Sequence, residues 1–235
     1  MPLARTLLAP LGRRLMACLL AASTGPVLAL LVSVLPSSTA CAARAAPPPP
    51  GLVLRDGDLV FQTSLSGQGE AVALATGSRY THMGVVLLLG GRPVVLEAVQ
   101  PVQLTPWPEW LERGDRGHVV VKRLVDVEER LTPAARARMH ALANKWIGRR
   151  YDPYFRWDDD RLYCSELVYK LYQRAVGLSV GVLRRAGDFN LASAPVRRLM
   201  RRRFGRAAGR FDPREPAIAP QQLFAAPGLV TIFSN

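Results

Sequence analysis

Three residues could carry covalent chemistry together, and the scarcity of their types makes each informative. The chain holds three cysteines and three histidines in 235 residues. Cys18 and Cys41 fall in the N-terminal leader, so Cys164 is the single thiol of the remainder and a disulfide within the folded part is excluded. A lone thiol in an exported protein oxidises unless it is buried or used. From Tyr163 to Ala175 the apolar residues Leu167, Val168, Leu171 and Tyr172 recur at helical spacing, which predicts a helix with Cys164 in its first turn. There the free N–H groups and the helix dipole favour thiolate, the nucleophilic form. The preceding Asp158, Asp159 and Asp160 read as a cap for that helix; their charge opposes thiolate, so a basic partner is required.

That partner should be a histidine. His140 lies within a predicted helix and His118 precedes a strand, whereas His82 opens the apolar run Thr81–Leu89, which ends at Gly90 and Gly91 and is followed by the strand Arg92–Val99. A two-residue glycine turn between apolar runs is a strong hairpin signal. It pairs Leu89 with Arg92 and, counting outward, Gly84 with Glu97. Side chains alternate along a strand, so His82, Gly84 and Glu97 share one face, with His82 and Glu97 diagonal neighbours at about 7–8 Å between backbones. Gly84 leaves the space opposite Glu97 open. A carboxylate on the far ring nitrogen fixes the tautomer and steadies the imidazolium, the third role in a nucleophile–base–orienter triad. The ordinary readings are a small buried helix cysteine, a strand-end histidine and a surface strand charge; they must all hold at once for the triad to be illusory.

The elements that must position these residues follow from the same patterns. Asp56 and Gly57 make a turn before a short strand ending at Gln62, Gly69–Thr76 reads as a helix, and Val119–Leu124 as a strand. Thr132 as cap and Pro133 in the first turn open a helix to about Ile147, closed by Gly148. Val196–Phe204 is an Arg-rich amphipathic stretch, and Ile218–Phe224 a short helix or turn before a closing strand. Glu166 reads as a first-turn helix charge, and Trp107, Trp110, Trp146 and Trp157 as packing or groove residues.

Residues 1–42 read as a secretory leader, with Arg5, Arg13 and Arg14 before an apolar run from Leu15 to Leu35 and small polar residues after it. It ends in cleavage near Ala40–Ala42, in lipidation at Cys41 (with Ser38 where an aliphatic residue is usual), or as an uncleaved anchor, its run being interrupted by Gly25 and Pro26. Each outcome places the domain outside the cytoplasm, in the periplasm or cell envelope. Residues 43–50, ending in four prolines, form a stiff spacer, and 51–235 the folded domain. The formal charge of +13 comes from 28 arginines and only three lysines. That bias fits genome composition and a solvated basic surface, or attraction to an anionic surface polymer or membrane surface; export argues against nucleic acid. The charge and spacing leave the oligomeric state open.

The motifs Asp56–Gln62 (DGDLVFQ), Ala75–Gly84 (ATGSRYTHMG), Leu96–Ala98 (LEA), Gly148–Asp152 (GRRYD) and above all Trp157–Val168 (WDDDRLYCSELV) resemble those of the YiiX/YaeF-like bacterial proteins. These are circularly permuted papain-like cysteine hydrolases related to NlpC-type cell-wall peptidases. The resemblance covers nearly everything after the leader and implies an α+β fold, with the cysteine helix packed on a central antiparallel sheet. The permutation accounts for histidine preceding cysteine. The resemblance also implies Cys164 as nucleophile, His82 as general base and Glu97 as its orienter, and departs from the family mainly in the richness of Arg197–Arg210.

The expected reaction is attack by Cys164 on an amide or ester carbonyl, giving an acyl-enzyme that water releases with His82 as base. The Cys164 N–H is the natural oxyanion donor, with Tyr80 or Tyr163 as added contacts, and the chemistry requires no metal or organic cofactor. The NlpC relationship points to a peptide or amide of the cell envelope as substrate, by analogy only. Permuted relatives of the lecithin:retinol acyltransferase group share the histidine-then-cysteine order, which makes a lipid acyltransferase or lipid-ester hydrolase the alternative. They carry an NCEH string where this chain has Tyr163, Cys164, Ser165 and Glu166. A non-catalytic envelope binding module is the third reading.

Overall fold

The computed structural model describes residues 51–205 and 211–235. In chain order the elements are β1 (Leu59–Gln62), α1 (Gly67–Thr76), β2 (His82–Leu89), β3 (Arg92–Ala98), β4 (Val102–Pro106), α2 (Trp107–Glu112), β5 (Val120–Leu124), α3 (Val127–Arg130) and α4 (Pro133–Trp146). There follow β6 (Arg150–Tyr151), β7 (Arg161–Leu162), α5 (Cys164–Val176), β8 (Arg184–Arg185), α6 (Ala194–Phe204), β9 (Pro216–Ala217), α7 (Pro220–Phe224) and β10 (Leu229–Ser234). The leader, the proline spacer and the lipidation candidate Cys41 lie outside the described residues. Among the described residues no helix is long and apolar enough to cross a membrane.

An antiparallel sheet in the order β10-β5-β1-β2-β3-β4 is the frame. Strand alternation divides its side chains between two apolar layers. Leu59, Phe61, Met83, Val85, Leu87, Leu96 and Ala98 face α5, which contributes Leu167, Val168, Leu171 and Tyr172. Val60, Val86, Val95 and Val121 face the other way, onto Trp107 and Trp110 of α2. This is the α+β arrangement of a cysteine helix on an antiparallel sheet.

The hairpin register is the one the glycine turn dictates: Leu89 pairs with Arg92 and Val85 with Leu96, with no bulge between. Gly90 and Gly91 both take positive φ, 57° and 77°, as a tight turn of this hand requires. Gly84 is needed for a closer reason than the one its position suggests. A Cβ there would meet Val95 Cγ1 at 2.4 Å and Leu96 O at 2.8 Å before reaching Glu97 Cβ at 3.4 Å, so glycine lets β2 and β3 approach at all.

α5 begins at Cys164 and ends at Gly177, whose φ of 75° closes the helix. The aspartate run does not cap it. Glu166 does, its Oε2 accepting from the Tyr163 N–H at 3.3 Å. The aspartates lie alongside instead: Asp159 takes Lys170 Nζ at 3.0 Å and the Arg174 guanidinium at 2.7 Å. Asp158 Oδ1 accepts from the N–H groups of Asp160 and Arg161, at 2.9 and 3.2 Å, stabilising its own turn. The cationic partners Lys170 and Arg174 offset the charge of Asp159, one of the three aspartates that the sequence set against the thiolate.

Candidate active site

Cys164 is the first residue of α5 and is 7% exposed. Helix-terminal N–H groups have no partner within the helix, so those of the first turn face whatever binds at the thiol. His82 is the first residue of β2, at the end of the sheet, from where its ring reaches both the α2 side and the start of α5. Its Nε2 lies 2.6 Å from Glu97 Oε2, leaving Nδ1 for the thiol. The Trp110 indole lies roughly parallel to the imidazole, 6.4 Å between centroids, and covers it on the α2 side.

Glu97 is fully buried, and its carboxylate is saturated. Oε2 takes His82, while Oε1 accepts from Thr105 Oγ1 at 2.5 Å and from the Arg113 guanidinium. Burial alone would raise this carboxyl; the hydrogen bond and charge of His82, then Thr105 and Arg113, bring it below the ordinary carboxylate range. His82 shows the reciprocal effect. Burial would lower its pKa, but the neighbouring Cys164 and the Glu97 carboxylate outweigh burial and hold the imidazolium up to about 9. A charged histidine between a thiol and a carboxylate is the arrangement of an activated cysteine nucleophile.

Thr105 and Arg113 were not singled out by the sequence. They arrive from β4 and the end of α2, which the hairpin arithmetic does not reach; the signal is the polar residue at an inward position of β4, opposite the β3 strand that carries Glu97. Tyr151 was also missed as a site residue. Its hydroxyl accepts from Gln68 Nε2 at 2.5 Å, which leaves its O–H to donate, and its pKa is raised by burial and by the nearby Cys164.

Of the two tyrosines named from sequence, Tyr163 borders the site, but its hydroxyl accepts from the Ile218 N–H at 3.2 Å. Tyr80 is not brought in: its ring stacks between Phe224, at 4.2 Å, and His118, at 6.2 Å. His140 bonds Asp56, at 2.8 Å, away from the thiol. Glu166, two residues past the cysteine, faces Lys170 Nζ at 2.7 Å, and burial pushes its carboxyl up to about 8 against that ammonium. It holds the helix start and is no base for Cys164.

Cys164 opens onto a cavity of about 470 Å³, within the size range of small-molecule sites. Its walls come from α1, α6, the Tyr151–Arg156 turn and the Phe211–Pro220 segment, and are mainly apolar: Ala71, Val72, Phe155, Leu199, Met200 and Phe204. Its charged groups are Arg156, Asp158, Arg203, Asp212 and Glu215, of which Arg203 comes from α6. Arg203 donates to Gln68 Oε1 at 2.5 Å, lies 4.9 Å from the Phe155 ring centre, and its Nη1 is buried without a hydrogen-bond partner among the described residues.

Comparison with known proteins places this geometry. The model of the family described as permuted papain-like amidase enzyme, YaeF/YiiX, C92 family, matches residues 53–233. An uncharacterized Escherichia coli (strain K12) protein, YiiX, is 38% identical over 176 residues, 75% of this chain and 84% of its own length. A crystal structure of yiiX from Escherichia coli O157:H7 superposes with a TM-score of 0.71 at 37% identity, over 77% of this chain and 97% of that one. That protein is described as a metalloprotein. Among the described residues here, no three His, Cys, Asp or Glu side chains are grouped to hold a metal ion. The Glu97 oxygens and the His82 ring are committed to protein partners. These residues do not fit a metal centre as arranged, and no step below passes through one.

Proposed function

Since the chain belongs to the permuted papain-like amidase family of YaeF and YiiX, we propose that it is an exported cysteine amidase that cleaves its substrate through Cys164, His82 and Glu97. The observation that carries the reading is the His82 imidazole held 2.6 Å from a fully buried carboxylate, with Cys164 as the other neighbour that raises its pKa. The Cys164 thiolate attacks the amide carbonyl carbon, forming the C–S bond and placing the negative charge on oxygen. The first-turn N–H of α5 and the Tyr151 O–H are the donors for that oxyanion. As the C–N bond breaks, imidazolium gives its proton to the leaving amine. A water then attacks the thioester while His82 takes its proton, and the acid departs as the proton returns to sulfur or imidazole. Glu97 stays ionised throughout, fixed by Thr105 and Arg113.

The envelope setting favours a peptide or amide of the cell wall as substrate. A second reading, hydrolysis or transfer of a lipid acyl group, draws on the apolar walls of the cavity beside Cys164. Purified protein incubated with peptidoglycan fragments, with N-acyl amides and with phospholipids, with Cys164→Ala as control, separates them. Thiol-dependent release of an amine from the first or second supports the amidase, and release of fatty acid from lipid ester alone supports the alternative. No turnover of any of them, with Cys164 normally reactive to alkylation, overturns both in favour of a binding module.

A further inference from the structure

α6 carries five arginines in eleven residues and no acidic side chain. Its two faces differ sharply. Val196, Leu199, Met200 and Phe204 line the cavity that leads to Cys164, whereas Arg197, Arg198, Arg201 and Arg202 are exposed. These four stand three and four residues apart, so their like charges crowd one stripe and destabilise an isolated helix. Among the described residues no ion pair neutralises them. Arg197 donates to Ala192 O, and the nearest ion pairs in sequence, Arg184 with Asp188 and Arg214 with Asp212, leave α6 out. Residues 206–210 (RAAGR) add two more arginines and no acid to the sequence.

We propose that the outer face of α6 docks on an anionic phospholipid surface, setting the wall of the apolar cavity against the headgroup layer. A stripe of unpaired arginines complements anionic headgroups, each arginine adding to the attraction. A soluble anionic polymer would satisfy the charge equally, but it offers nothing to the apolar cavity lined by the inner face of the same helix. A lipid surface supplies both. The proposal goes beyond the amidase reading and does not need it, because binding is measured without turnover.

The test is flotation of the full chain with phosphatidylcholine vesicles, alone and with phosphatidylglycerol. The leader's own Arg5, Arg13 and Arg14 also favour the anionic lipid, so the contribution of α6 is read from variants that keep the leader and change only the helix. Partitioning rises about tenfold or more with the anionic lipid, and salt reverses the gain. Arg198→Ala/Arg201→Ala/Arg202→Ala, which spares the Arg197 hydrogen bond, loses most of that gain, and the corresponding triple Lys variant keeps it. Cys164→Ala binds as the parent does, so a failed amidase assay leaves this result standing. Equal binding to neutral and anionic vesicles overturns the proposal, as does an unaffected triple Ala variant. Binding to heparin without any gain on anionic over neutral vesicles also overturns it, assigning the stripe to a polymer. Should the triple Ala variant not fold, the single variants Arg198→Ala, Arg201→Ala and Arg202→Ala decide: each loses part of the gain, and three unaffected singles overturn the proposal.

Discussion

Replacing Glu97 with glutamine removes one charge from the centre of the site and changes little else. The amide keeps the size of the side chain and can still pair with Thr105 and His82, while Arg113, 40% exposed, can turn to water. The fold should therefore survive, and the consequence falls on His82. Its rise from 6.5 to about 9 corresponds to about 3 kcal/mol favouring the imidazolium, at about 1.4 kcal/mol per pH unit. Cys164 and Glu97 share in holding it there. Removing the carboxylate takes away part of that stabilisation and moves the His82 imidazole titration down by about one pH unit. An amide can also donate to the ring and fix the wrong tautomer, so turnover falls further, on the order of 10²- to 10⁴-fold, as when the carboxylate of a serine triad is neutralised. The assay is the NMR titration of the His82 imidazole across pH, beside amide hydrolysis. A His82 titration that does not move in a folded Glu97→Gln protein refutes the assignment of Glu97 as a residue that holds His82 charged.

Three further outcomes follow from the geometry. Because the folded-state pKa of His82 is raised, its stabilisation is complete below about pH 6.5 and is lost as pH rises through about 9; the parent's melting temperature should fall across that window, and the fall should vanish in His82→Ala. Gly84→Ala places a Cβ 2.4 Å from Val95 Cγ1 and should cost about 1–3 kcal/mol in urea unfolding, whereas a neutral result would mean that β2 and β3 separate freely. Ala75→Phe, which projects into the cavity wall from α1, should lower kcat/KM for bulky apolar acyl amides by about tenfold or more and leave acetyl amides unchanged; equal losses on both would show that the cavity does not hold the acyl group.

The part of this site written in local patterns was legible from the sequence, and the part assembled from distant segments was not. The glycine pair at Gly90 and Gly91 sets the hairpin register, and register alone places His82 and Glu97 on one face. Helical spacing then puts Cys164 at the start of α5. Thr105 and Arg113, which saturate Glu97, lie beyond the reach of that counting: β4 and α2 come after the hairpin, and α2 is a short helix whose tryptophans read equally well as simple packing. The cavity was invisible for the same reason, since its walls come from four separated stretches between Gln68 and Pro220. The aspartate run misled because a carboxylate before a helix resembles a cap in one dimension. In three dimensions Lys170 and Arg174, in the second and third turns of α5, draw Asp159 alongside the helix instead.

The account rests on Cys164 being activated by His82, and the thiol reports that directly. At about pH 6.5, where a free cysteine is almost wholly protonated, Cys164 of the parent should react with iodoacetamide at least about tenfold faster than in a folded His82→Ala protein. Equal rates in the two proteins would contradict the central claim.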